Sequence, residues 1–136
     1  MKKLVVLFLL STLAFAESYK EFALKNGYET DYKTALTKAK KENKEIFFVL
    51  VANYCPWCKK LEKRKLSREP VRSFVKKHYV ALILNRQEHN FPKQFESPVI
   101  PMIYIVDTKN EKIKESVMGY TQATEYFTKK LKKEAQ

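Results

Sequence analysis

Cys55-Pro56-Trp57-Cys58 contains both cysteines of this 136-residue chain, separated by two residues. Two thiols at that spacing can act as one redox unit. The first attacks a foreign disulfide, and the second then reaches the mixed disulfide intramolecularly and releases the product. Cys55 follows a seven-residue apolar run, Ile46 to Ala52, and precedes a charged, helix-favouring stretch. It therefore stands where a strand ends and a helix begins. A sulfur there faces unpaired backbone N–H groups and the positive end of the helix dipole, both of which favour thiolate over thiol. Lowering a thiol pKa from about 8.5 to about 7 takes roughly 2 kcal/mol, of which a helix terminus supplies roughly 0.3 to 2. A Cys58 S–H donor and nearby Lys59 and Lys60 would supply the rest. Cys55 is assigned as nucleophile and Cys58, one turn inside the helix, as the shielded resolving thiol. Pro56 fits the first helical turn without losing a hydrogen bond. Trp57 is either a platform beside the active sulfur that contacts substrate or a ring folded back on its own domain.

Other uses of this spacing fit less well. A structural zinc site needs two further ligands, and only His78 and His89 remain as imidazole donors. A c-type haem attachment needs histidine at position 59, which is lysine. A purely structural disulfide would close a loop too short to stabilise much. No cofactor or metal is expected. His78 and His89 read as helix-end and loop residues.

The elements around the pair read as one α/β domain. Asp31 to Asn43, with Tyr32, Leu36 and Ala39 on one face, predicts a helix capped by Thr30 or Asp31. The run Ile46 to Ala52 predicts a central strand buried on both faces. Lys59 to Lys65 predicts a helix, broken or kinked at Pro70 and resumed from Val71 to Lys77. Tyr79 to Leu84 predicts a second strand, parallel to the first, completing a βαβ unit. Met102 to Val106 predicts a third strand, and Glu111 to Met118 an antiparallel return. Gly119 marks a bend, and Thr121 is expected to cap a last helix that turns Tyr126, Phe127 and Leu131 inward. The fold expected is a mixed central sheet with helices on both faces.

The N-terminus points to export. Met1-Lys2-Lys3, the apolar run Leu4 to Leu10, and Ala14-Phe15-Ala16 read as a signal peptide over residues 1–16, leaving a domain over 17–136. Leu4 to Ala16 is shorter than the ~20 residues a membrane-spanning helix needs. A periplasmic or secreted location permits disulfides. The chain carries 27 Lys and Arg against 15 Asp and Glu, a net charge of +12. Its lysine clusters read as solvated faces, or as attraction to acidic partners or an anionic membrane. Nucleic acid is not an expected partner, since no recognition module is present.

With strand, C-x-x-C and helix in that order, and Val99-Ile100-Pro101 leading into a strand 43 residues after Cys58, residues 30–133 resemble the thioredoxin-like superfamily, in particular small exported members. The Gly119-Tyr120 bend before a terminal helix is similar too. The resemblance implies that Pro101, rather than Pro98, is a cis-proline opposite the redox pair. It also implies that Ile100 offers backbone groups to an extended substrate, and β-pairing of that kind accepts many sequences. It implies an exported thiol–disulfide oxidoreductase, acting on protein disulfides or thiols and reset by an upstream electron donor such as a membrane thiol–disulfide transporter. A monomeric reductase is the leading expectation. An oxidant or isomerase of the same fold, or a chaperone-like binding module without catalysis, is the alternative. Thioredoxins proper carry a buried aspartate six residues before the first cysteine and a lysine on the next strand, where this chain has Val49 and Ile83. The usual proton acceptor for Cys58 is thus missing, and water or the departing thiolate is expected to serve. The Pro56-Trp57 pair is closer to glutaredoxins, without implying glutathione specificity.

Overall fold

A computed structural model describes residues 18–136; the expected signal peptide, 1–16, lies outside the described residues. Four strands form the sheet: β1 (Glu45–Val51), β2 (Tyr79–Asn85), β3 (Met102–Val106) and β4 (Ile113–Met118), in the spatial order β2-β1-β3-β4. β1 runs parallel to β2 and antiparallel to β3, which in turn pairs antiparallel with β4. This is the mixed sheet expected from the sequence.

Side chains alternate across β1, so its continuous apolar run feeds two cores. Phe47, Val49 and Val51 face a layer built by α1 (Tyr19–Asn26), α3 (Pro56–Leu61), α4 (Val71–His78) and α5 (Gly119–Glu134). Ile46, Phe48 and Leu50 face α2 (Tyr32–Glu42) and the buried ring of Phe95. Helices therefore cover both faces. α2 starts at the expected cap, where the Asp31 carboxylate accepts the Thr34 N–H at 2.8 Å. Ala35 and Ala39 are its fully buried positions, allowing close approach to the sheet.

Three features depart from the sequence reading. α1 was not expected; Ser18 caps it by accepting the Glu21 N–H, and Gly27 closes it in the left-handed region at φ 72°. The last helix begins at Gly119, not at a Thr121 cap. Gln122 Oε1 accepts the Met118 N–H at 3.0 Å, so a side chain from the first turn reaches back and Thr121 is left exposed. Finally, α3 passes directly into a π-helical turn, Glu62–Leu66, in which the Ser67 N–H bonds to the Glu62 carbonyl at 3.0 Å. Leu61 and Leu66 are five residues apart and both fully buried. A wider turn keeps that spacing on one face, whereas an α-helix would rotate one leucine away.

Candidate active site

β1 ends at Val51, and the segment after it is held by the end of β2 and the turn that follows. Asn85, at the end of β2, donates its amide to Asn53 Oδ1 at 2.7 Å, and the Asn53 N–H bonds to Gln87 Oε1 at 3.1 Å. Tyr54 follows with φ 53°, an uncommon conformation for a residue with a side chain, and its ring is fully exposed. The chain then enters α3 with Cys55 as N-cap and Pro56 in the first turn.

Cys55 and Cys58 form a disulfide with their Cα atoms 5.2 Å apart. The backbone N–H of Cys58 points at Cys55 Sγ at 3.2 Å. A donor so placed would stabilise negative charge on that sulfur when the bond is reduced. Cys55 is partly accessible, while Cys58 is 1% exposed. The expected division into an accessible and a shielded sulfur thus has a structural counterpart. Both cysteines line an open cleft of about 830 Å³, walled also by Tyr19, Asn85, Glu88 and Glu62.

Glu62 is the residue sequence reasoning missed. It lies four residues after Cys58, one helical turn on, and is 2% exposed. Lys59 Nζ stands 3.4 Å from its carboxylate. The buried Tyr28 hydroxyl is nearby; burial, and then the charge of Glu62, push its pKa far above the usual tyrosine value, so it stays neutral. Val49 and Ile83 face one another in the β1–β2 register, both fully buried. The positions that hold charge in thioredoxins proper are therefore apolar, as read from the sequence. A carboxylate nevertheless lines the cleft from another element, which adds Glu62 as a candidate proton acceptor beside the water and departing thiolate expected for Cys58.

The Ile100–Pro101 peptide bond is cis. A second cis bond, Glu69–Pro70, was not expected; it lies between the π-helical turn and α4. Because Leu50 pairs with Met102, the antiparallel register brings Pro101 beside Val51, at the strand end from which the cysteine loop departs. The Pro101 carbonyl accepts the Gly119 N–H at 2.8 Å, and Gly119 takes φ 76°, where a side chain would be strained. That bond anchors the residue before Tyr120 to the proline. Trp57 is 54% exposed, and its ring lies against that of Tyr120 with centroids 5.8 Å apart and planes tilted by 38°. The histidines lie elsewhere. His78 Nε2 is 2.8 Å from Glu134 Oε1, and His89 Nδ1 is 3.6 Å from Glu96. Among the described residues no group of three or more His, Cys, Asp and Glu could hold a metal ion, and no helix is long and apolar enough to cross a membrane.

Comparison with known proteins agrees with this architecture. A thioredoxin from Thermus thermophilus superposes with a TM-score of 0.61 at 17% identity, covering 78% of this chain and 85% of that one. The DsbH oxidoreductase superposes at 0.58 with 19% identity, covering 77% and 83%. The rat spermatogenesis-associated protein 20 (Rattus norvegicus) is 33% identical over 54 residues, 40% of this chain. The chain spans 7% of that relative's length, so the likeness is local. A thioredoxin-like domain model matches residues 32–135, and the chain belongs to the thioredoxin-like domain family.

Proposed function

We propose that the protein is an exported thiol–disulfide oxidoreductase that reduces disulfides in other proteins. The observation carrying this reading is the asymmetric pair: Cys55 accessible at the helix start with an N–H aimed at its sulfur, and Cys58 buried one turn on. In the reduced protein, the Cys55 thiolate attacks a substrate disulfide. One substrate sulfur leaves as a thiolate and takes up a proton from water. Cys58 then gives its proton to the Glu62 carboxylate, and its sulfur attacks Cys55 Sγ. The Cys55–Cys58 disulfide forms, the second substrate thiolate departs, and two electrons have passed to the substrate. An external dithiol donor, such as a membrane thiol–disulfide transporter, restores the pair.

Substrate recognition is assigned to the strand edge at Ile100 and Pro101, by β-pairing with an extended segment. Trp57 lies on the flank of this edge as a contact platform. Export is supported by the basic head, apolar run and Ala14-Phe15-Ala16 of the N-terminus.

Insulin reduction driven by a dithiol donor tests the chemistry. Wild type is expected to accelerate it over donor alone, Cys55→Ser to lose the acceleration, and Cys58→Ser to accumulate a covalent complex with substrate. Full acceleration by Cys55→Ser would overturn the proposal. Peptide capture without turnover by the wild type would favour a binding module instead.

A further inference from the structure

Between positions 59 and 68 the chain has six cations, Lys59, Lys60, Lys63, Arg64, Lys65 and Arg68, and one carboxylate, Glu62. Glu62 faces inward with Lys59 beside it. Lys60 Nζ lies over both rings of the stack beside the disulfide, 4.5 Å from the Trp57 centroid and 4.8 Å from that of Tyr120. Lys65 Nζ approaches the same Tyr120 ring at 6.0 Å. Arg64, Lys65 and Arg68 continue from there, lining an open depression with Tyr120. Among the described residues no Asp or Glu forms an ion pair with Lys60, Arg64, Lys65 or Arg68. A solvated helix face ordinarily mixes signs, whereas this one presents a single sign next to exposed aromatic surface.

The position of the cluster gives the charge a direction. Through the Gly119–Pro101 hydrogen bond, Tyr120 is tied to the strand edge beside the redox pair. A segment lying on Ile100 with its own sulfur at Cys55 would therefore run, at one end, over Trp57 and Tyr120 and onto Arg64, Lys65 and Arg68. Arg68 Nε donates to the Lys63 carbonyl at 3.3 Å, and no carboxylate among the described residues neutralises its charge. Aromatic surface followed by guanidinium and ammonium groups without acidic partners suits an apolar residue followed by carboxylates.

We propose that this face binds acidic polypeptide segments, selecting protein substrates whose reacting cysteine is flanked on one side by Asp or Glu. The inference rests on the proposed exchange chemistry for the role of Cys55, but the charge recognition itself needs no sulfur.

The test uses the oxidised full chain and the fluorescence of Trp57, the only tryptophan. Two synthetic peptides carry serine in place of the reacting cysteine and differ only in a flanking run of aspartates or asparagines. At low ionic strength the aspartate peptide is expected to bind roughly tenfold tighter, since several exposed ion pairs each contribute a small factor. The advantage should shrink as salt shortens the Debye length. It should disappear in the triple variant Arg64→Ala, Lys65→Ala, Arg68→Ala, with circular dichroism verifying its fold. Equal affinity of wild type for both peptides at low salt would overturn the proposal. So would binding to phosphatidylglycerol vesicles with no preference between the peptides, which would make the face a membrane-docking surface. Exchange with hydroxyethyl disulfide, small and uncharged, reads the redox chemistry separately, so failure of either reading is recognisable on its own.

Discussion

In the proposed reaction, one buried carboxylate takes the proton of the resolving thiol. Glu62 lies in the wall of the cleft that also contains Cys58, and Lys59 beside it offsets its charge. Glu62→Gln keeps the shape and removes the proton acceptor. Release of substrate from the mixed disulfide should slow by roughly tenfold or more near neutral pH, with the loss narrowing as hydroxide takes over at higher pH, while the initial attack by Cys55 is retained. Single-turnover mixing with a fluorescent peptide disulfide separates the two steps. Equal release rates across the pH range would remove Glu62 from the mechanism. The cysteines were legible because residue type and spacing alone define their chemistry. Glu62 was not, because Lys59 to Lys65 reads as a uniformly charged helix surface. Which charged side chain turns inward is decided by the wider turn that seats Leu61 and Leu66 together. The five-residue spacing of those leucines was the available signal.

Elements were legible wherever apolar periodicity and punctuation agreed. β1, β2 and β3 announce themselves as runs of buried residues, and α2 by its Asp31 cap. α1 is weakly amphipathic, so its Ser18 cap and closing Gly27 were its clearest signs. The start of α5 depends on a reach-back by Gln122 that resembles no simple cap signature. The far end of that helix carries a pH-dependent tie. Glu134 accepts from Lys77 Nζ at 2.7 Å and contacts His78, and these hydrogen bonds, led by Lys77, hold its carboxyl below the ordinary 4.5. A folded value below the unfolded one makes the contribution complete above the ordinary value and removes it as pH falls through the lower folded value. Thermal unfolding should therefore show Glu134→Gln slightly less stable than wild type at about pH 6, with the difference shrinking steadily as pH falls below the ordinary 4.5. A difference that persists in acid would assign the effect to packing instead.

Across the whole molecule, two apolar cores clamp one sheet, and the sheet fixes where the cysteine loop emerges. Parallel pairing of β1 with β2 followed from the helical crossover, whereas the antiparallel sense of β3 against β1 had no local signal, because a long polar connection permits either direction. The approach of Pro101 to the end of β1 was legible only through the family resemblance, since no local pattern reports a contact across so much sequence. Phe47 is fully buried on β1 and packs on Phe127 of α5 with centroids 5.9 Å apart, joining the sheet to the helix that carries Tyr120. Phe47→Ala should cost about 3–5 kcal/mol in urea unfolding, and a loss under about 1 kcal/mol would mean that this core does not anchor the site. What the assembled fold delivers is one accessible sulfur held at a helix start. Alkylation of the fully reduced protein by iodoacetamide, followed against pH with the modified residue located by mass spectrometry, tests that directly. Cys55 is expected to be modified first, with a midpoint clearly below the ~8.5 of a free thiol. Modification of Cys58 first, or of both cysteines at the rate and midpoint of an unfolded peptide, would contradict it.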